Sequence, residues 1–398
     1  MRAVGIVCEY NPFHRGHLYQ IEQSRRALGE DAAVVCVQSG DFVQRGEAAL
    51  FDKHARAEAA CRSGADLVVE LPLPWCLSQA EGFATGAVSL LAALGCDTLS
   101  FGSESAALPA LERLADFLTC PDTLPRILAR MEAEPSLSFA RARQQLAGEA
   151  LGSDAALLSA PNDILAVEYL RALRRLNAPL RPLAIRRLGS GHDAPEAGDY
   201  PSAMALRARM EQGGDISPFL PTPAREVLAR EQAAGRMCGR RLLEIALLSR
   251  LYTLGPERFE TLADAGGGAG RRLWRAVRAG GGPADMVAAA VSKRFPAARM
   301  RRMLLCAALG LCADDTKGTP PYVRPLAMNE RGREYLAARR DMLPIPTVTR
   351  TADLKKAGLT AEKVFRIGAD AHDLYTLGFD GPAGRNAGED WRRNPALV

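Results

Sequence analysis

Val4-Gly5-Ile6-Val7-Cys8-Glu9-Tyr10-Asn11-Pro12-Phe13-His14-Arg15-Gly16-His17 is the stretch on which the reading of this chain turns. The apolar run Ala3–Cys8 reads as a buried strand, stopped by Glu9, Asn11 and Pro12. From His17 onward Leu18, Ile21 and Leu28 recur at helical spacing, so the strand passes through a short turn directly into a helix over His17–Leu28. A strand-to-helix turn of this kind lies at the carboxyl edge of an α/β sheet, where ligands bind. The helix start offers free N–H groups and a partial positive charge, which suits it to phosphate. Gly16 leaves room where backbone meets ligand. His14 and His17, three residues apart, face the same side.

Those residue types fit one chemistry. In nucleotidyl transfer the difficulty is charge building on the α-phosphate and the departing pyrophosphate, so the protein needs fixed donors rather than a covalent nucleophile. Two imidazoles beside a helix terminus supply them, with His14 and His17 as the catalytic pair. The competing readings are a metal-binding histidine pair and a plain turn. The metal reading lacks companions, because His54, His192 and His372 form no ligand-like pair.

Working outward, further strands are expected at Ala33–Val37, Asp66–Glu70, Thr98–Phe101 and Pro182–Arg186. Helices are expected at Phe51–Ser63, Ala80–Leu94, Leu108–Leu118 and from Pro161 onward. That alternation predicts an α/β fold with a helix-covered parallel sheet over residues 1–215. From residue 216 to 398 helical runs dominate, at Arg240–Leu251 and Val287–Leu311, broken by Gly266–Gly270 and Gly280–Gly282. Short strands are expected at Pro320–Leu326 and Pro344–Arg350, and Gly381–Val398 reads as poorly ordered. The division is therefore a catalytic, phosphate-binding part over 1–215 and a mainly α-helical part over 216–398, a candidate for RNA binding.

Bulk properties agree with a soluble enzyme. The chain has 398 residues, 47% hydrophobic and 24% charged, with a formal net charge of +5. Its nine cysteines contain no C-x-x-C pair, so they read as small buried apolar residues in a reducing compartment and imply no zinc site. No apolar run approaches the ~20 residues that span a bilayer. No membrane partner and a cytoplasmic location are expected. Arg271, Arg272, Arg275, Arg278, Lys293, Arg294, Arg299, Arg301 and Arg302 cluster against the single acid Asp285, a pattern able to follow an RNA backbone.

The motif resembles the HxGH nucleotidyltransferase signature and, more closely, that of the bacterial tRNA(Met) cytidine acetate ligase family. Other segments agree in the same order: Ser39-Gly40-Asp41-Phe42-Val43-Gln44-Arg45-Gly46-Glu47, Asp52-Lys53, Asp66-Leu67-Val68-Val69-Glu70-Leu71-Pro72 and Phe101-Gly102-Ser103-Glu104. They continue through Pro161-Asn162-Asp163-Ile164-Leu165, Ile185-Arg186-Arg187 and Tyr322-Val323-Arg324-Pro325-Leu326. The resemblance implies a Rossmann-like nucleotidyltransferase (HUP-type) domain followed by the helical one. It also implies a two-step reaction: acetate and ATP give acetyl-adenylate, and the acetyl group passes to N4 of the wobble cytidine of elongator tRNA(Met). ATP would lie on Val7, Cys8, Glu9, Tyr10, Asn11, Pro12, Phe13, His14, Arg15, Gly16, His17, Leu18, Tyr19 and Gln20, completed by Gly102, Asn162, Arg186 and Arg187. Mg²⁺ is chemically expected on the phosphates, with no carboxylate assignable to it.

Each carried-over residue also has a plainer reading. Gly102 serves a turn as well as an adenosine, Asn162 a helix cap as well as a base, and one of Arg186 and Arg187 solvent rather than phosphate. Tyr200-Pro201-Ser202-Ala203-Met204-Ala205-Leu206-Arg207 is similar to a second phosphate-binding motif, with Ser202 and Arg207 as donors, although Ala203-Met204 stands where relatives carry a longer Ser/Thr run. Gly191 occupies a position where an aromatic residue is expected. Lys53 and Arg45 are candidates for contacts near the acyl group or incoming cytidine, or else exposed cations. Two rival functions stand beside the ligase: a small-molecule adenylyltransferase and a non-enzymatic RNA-binding protein.

Overall fold

Parallel strands buried on both faces need near-continuous apolar sequence, and the first strands have it. In the computed structural model, which describes residues 1–189 and 200–398, β1 (Ala3–Cys8), β2 (Ala33–Ser39), β5 (Leu67–Leu71), β6 (Thr98–Ser103) and β7 (Arg181–Arg186) pair in parallel. A small antiparallel hairpin, β3 (Phe42–Val43) with β4 (Glu47–Ala48), follows β2. Helices α1 (Arg15–Leu28), α2 (Lys53–Arg62), α3 (Leu73–Cys76), α4 (Ala80–Ala93), α5 (Leu108–Thr119), α6 (Thr123–Ala133), α7 (Phe139–Leu151) and α8 (Pro161–Arg175) link these strands.

The main sheet runs β7-β6-β1-β2-β5-β8-β9, so strand succession reverses between β1 and β6. Such a reversal opens a crevice at the carboxyl edge. One face packs Val4, Ile6, Cys8 and Val34 against α1 and α2; the other packs Ala33, Val35, Leu67 and Leu99 against α4 and α8. Gly5 is fixed by that second face, since a Cβ there would stand 2.6 Å from Leu91 Cδ2 of α4.

After α9 (Ala203–Glu211) the chain is mainly helical: α10 (Thr222–Ala233), α11 (Arg240–Leu251), α12 (Pro256–Glu260), α13 (Ala269–Ala279), α14 (Pro283–Ala290) and α15 (Ala297–Ala308). The run expected as one helix over Val287–Leu311 is thus two, because Val291–Pro296 turns the chain and Pro296 starts α15 afresh. The chain then returns to the sheet. β8 (Pro325–Met328) pairs antiparallel with β5, α16 (Glu330–Ala337), α17 (Leu354–Ala357) and α18 (Leu359–Thr376) follow, and β9 (Ala396–Leu397) pairs with β8. Of the strand expected at Pro344–Arg350 only a bridge remains, Val323 with Thr347.

The terminal stretch corrects the expectation of disorder. Asp390 is 1% exposed and accepts from Lys53 Nζ at 2.7 Å and Arg324 Nη2 at 2.8 Å, while Lys53 and Arg324 also hold Glu70. Buried charges survive only when paired and hydrogen-bonded, and this network ties the C-terminus to the end of β5. Nothing in the local composition of Gly381–Val398 announces it. Cys120 likewise departs from the reading of the cysteines as buried residues, being exposed. Among the described residues no helix is long and apolar enough to cross a membrane.

Candidate nucleotide site at the sheet's switch point

The turn between β1 and α1 is built from its own side chains. Tyr10, Asn11 and Phe13 are buried, and they hold the loop rather than present polar groups outward: the Tyr10 hydroxyl meets Cys36 Sγ at 3.3 Å, and Asn11 Oδ1 accepts from the Leu50 amide at 2.8 Å. Cys8 donates to the Val37 carbonyl. Beneath the loop, fully buried Arg56 donates to the carbonyls of Glu9, Ser39, Gly40 and Phe51, lashing the ends of β1 and β2 together. Sequence reasoning missed Arg56; an arginine amid the alanines of an otherwise small-residue helix was its only signal.

His14 and His17 form the start of α1 as a reciprocal pair. His14 Nδ1 accepts from the Gly16 amide at 3.0 Å and His17 Nδ1 accepts from the His14 amide at 3.2 Å, while the rings stack at 3.7 Å. Gly16 is required by this closeness, since a Cβ would lie 2.9 Å from His14 Cε1. Burial, with the Arg187 charge added, pushes the His14 pKa down to about 3. Burial, His14 and Arg187 lower His17 in the same way. Both rings are therefore neutral near pH 7, and because each Nδ1 is an acceptor, each proton sits on Nε2. The result is two imidazole N–H donors, neither with a hydrogen-bond partner among the described residues.

Across the crevice, Arg187 follows β7, its amide donating to the Ser103 carbonyl at 3.0 Å. It packs over Gly102, where a Cβ would lie 3.3 Å from its Cγ. Half-buried and without a carboxylate partner among the described residues, its guanidinium is pushed below its usual pKa by burial. Arg186 is exposed, so of the two arginines it is Arg187 that turns toward the histidines. Asn162 is not the cap of α8. Glu104 takes that part, accepting from the Asn162 amide at 3.2 Å, from Asn162 Nδ2 at 2.6 Å and from the Asp163 amide at 2.9 Å. Tyr19 and Gln20 are half-buried on α1, beside Tyr200 and Ser100 respectively, and Arg15 is exposed.

The remaining candidates divide. Lys53 is corrected outright: it is 1% exposed, with its ammonium held by Glu70 and Asp390, and it is neither a surface cation nor free to meet a substrate. Arg45 is exposed at the tip of the β3–β4 hairpin. Ser202 caps α9, its Oγ accepting from the Ala205 amide at 3.2 Å. Arg207 donates to the Asn11 carbonyl at 2.8 Å and pairs with Glu47 at 3.0 Å, supporting the turn from behind. Gly191 lies outside the described residues. Among the described residues no group of three or more His, Cys, Asp or Glu side chains is placed to hold a metal ion.

The basic cluster is partly spent on the fold. Arg272 donates to the Ala290 carbonyl at the end of α14, Arg299 to the Asp264 carbonyl, Arg301 to the Arg45 carbonyl at 3.1 Å, while Arg302 pairs with Asp264 and Arg271 with Glu260. Arg275, Arg278, Lys293 and Arg294 are exposed and make no salt bridge among the described residues.

Known proteins repeat this arrangement. The model of the HIGH Nucleotidyl Transferase family matches residues 1–390. The tRNA(Met) cytidine acetate ligase of Syntrophotalea carbinolica is 40% identical over 88% of this chain and 85% of its own, and that of Acetivibrio thermocellus 31% identical over 100% of both. The crystal structure of Thermotoga maritima TmcAL bound with alpha-thio ATP superposes with a TM-score of 0.92 at 30% identity, covering 100% of this chain and 99% of that one. With its paired histidines, its switch-point crevice and this end-to-end likeness, the chain belongs to the HIGH nucleotidyl transferase family and, within it, to the tRNA(Met) cytidine acetate ligases.

Proposed function

We propose that this protein is an ATP-dependent ligase that makes acetyl-adenylate from acetate and ATP and acetylates N4 of the wobble cytidine of elongator tRNA(Met), giving N4-acetylcytidine. The observation that carries the reading is the convergence on one crevice of two neutral imidazole donors and Arg187, which has no carboxylate partner among the described residues. An acetate oxygen attacks the α-phosphorus, the bond to the β-phosphate breaks, and pyrophosphate leaves. The Nε2–H groups of His14 and His17, with the N-terminus of α1, meet the charge that builds on the phosphates, and Arg187 adds a fixed cation. No enzyme-bound intermediate is needed. In this reading Gly102, Asn162, Tyr19 and Gln20 meet the nucleoside.

The described residues build no Mg²⁺ cage, so no step is assigned to the ion. Residues 1–215 carry the ATP chemistry, and the mainly helical part from 216 onward holds the RNA through Arg275, Arg278, Lys293 and Arg294. A tRNA substrate places this work in the cytoplasm.

The test is incubation of purified protein with ATP, labelled acetate and total tRNA, followed by digestion to nucleosides. Label is expected in acetylcytidine. Its yield per unit time should fall on the order of a hundredfold in His17→Ala, comparable to losing one preorganised donor. Unlabelled cytidine with the intact protein would refute the reading.

A further inference from the structure

The acetyl group leaves AMP for an amine whose lone pair is drawn into a pyrimidine ring, and when that nitrogen attacks, it must shed a proton. Neutral histidines that hold their protons on Nε2 and spend Nδ1 on the backbone are not placed to take it. The acceptor must be a carboxylate, the departing phosphate or a solvent molecule.

Three carboxylates stand at the ends of β1 and β6, and of these the buried Asp163 is taken up by the Ser103 hydroxyl and the Ser105 amide. Glu104 is committed: both its oxygens accept from the first turn of α8. Glu9, the residue directly after β1, is different. One oxygen, Oε1, is anchored by the Gln44 amide of the hairpin at 3.0 Å, and the other accepts no hydrogen bond among the described residues. The side chain is half-buried, on the same side of β1 as Val7.

We propose that Glu9 is the proton acceptor for acyl transfer, a role that rests on the ligase reading above. The cytidine N4 lone pair forms a bond to the acetyl carbonyl carbon. The bond from that carbon to the phosphate oxygen breaks, AMP leaves with its electron pair, and the N4 proton passes to Glu9 Oε2 and from there to solvent. The surroundings suit a base that must be ionised yet basic. Burial raises the Glu9 pKa from the usual carboxylate range, while Gln44, Arg45, Arg207 and Arg56 pull it back. Cys8 precedes it, and Tyr169 of α8 and Cys76 of α3 feel its charge; burial raises all three and keeps them neutral. The anchoring hairpin is itself seated on α15: Gly46, at φ +76°, lies where a Cβ would be 2.5 Å from the Arg302 amide, and Arg301 holds the Arg45 carbonyl. The base is thereby fixed by the part of the molecule that meets RNA.

Supplying synthetic acetyl-AMP and tRNA to the whole protein isolates the second step, and single-turnover rates are then read against pH. With the native protein the rate should rise with pH through one acid limb. In Glu9→Gln it should fall a hundredfold or more and lose that limb; in Glu9→Asp the limb should persist at a reduced rate. An acid limb retained in Glu9→Gln, or a transfer rate there within a few fold of the native one, would overturn the assignment. If the native protein makes no acetylcytidine from acetyl-AMP, it is the ligase reading that fails instead.

Discussion

At the scale of single residues, His14 and His17 show that proximity fixes protonation. Each ring gives its Nδ1 to a backbone amide of the same turn, and burial lowers both pKa values, His14 to about 3. Both rings are therefore neutral over the working range. The rate of ATP–pyrophosphate exchange should therefore show no limb near the ordinary histidine pKa of ~6.5; a limb there, absent in His14→Gln, would show a charged ring. The stability sign follows from the same shift. Above pH 6.5 neither folded nor unfolded chain protonates His14, and as pH falls toward 3 only the unfolded chain takes the proton, so stability is lost in that window. The histidines and Gly16 were legible in sequence because chain neighbours build the motif. That Arg187 rather than Arg186 turns inward was not, since adjacent strand residues point to opposite faces and only the packing over Gly102 says which face is which.

Elements couple the site to the rest of the chain. The β3–β4 hairpin begins at Asp41, whose Oδ2 lies 2.8 Å from His372 Nδ1 on α18 and whose Oδ1 accepts from the Lys53 amide at 2.9 Å. Burial alone would lower the His372 pKa, but the Asp41 charge and hydrogen bond outweigh it and raise it to about 9. This pair contributes stability that is fully present below pH 6.5 and lost as pH rises to about 9. His372→Ala should lower Tm by several degrees at pH 6 and flatten the fall in Tm between pH 6.5 and 9; an unchanged slope would deny the pair.

Helix α13 is the element on which RNA contact is testable. Arg275→Ala and Arg278→Ala should each lower the slope of log K against log salt for tRNA binding by about 1, with little change in folding. Arg272→Ala should instead destabilise the helical part, because Arg272 ends α14 through the Ala290 carbonyl. Binding titrations at graded salt, with melting curves, separate the two. The cluster was visible in the sequence as charge, but its division into structural and free arginines depends on which carbonyls the folded helices leave open.

For the whole molecule, the unexpected feature is the reach of the C-terminus. Lys53, Glu70, Arg324 and Asp390 come from four distant segments and lie together in the interior. Removing Asp390 leaves two buried cations to share the single carboxylate of Glu70, so Asp390→Ala should cost about 3 to 5 kcal/mol in urea unfolding, the usual penalty for breaking a buried pair. A change within 0.5 kcal/mol, the scale of ordinary surface substitutions, would show that the tail does not hold the sheet.

The sequence by itself determined the five parallel strands, the helices that follow the first four, and the strand-to-helix turn with its two histidines, because periodicity and local motifs act between neighbours in the chain. Only the tertiary structure decided that Lys53 is a buried partner rather than a substrate contact, that β8 and β9 extend the sheet, and that the last residues close the core. Those outcomes depend on charges and edges hundreds of residues apart, where a local pattern carries no information about who the partner is.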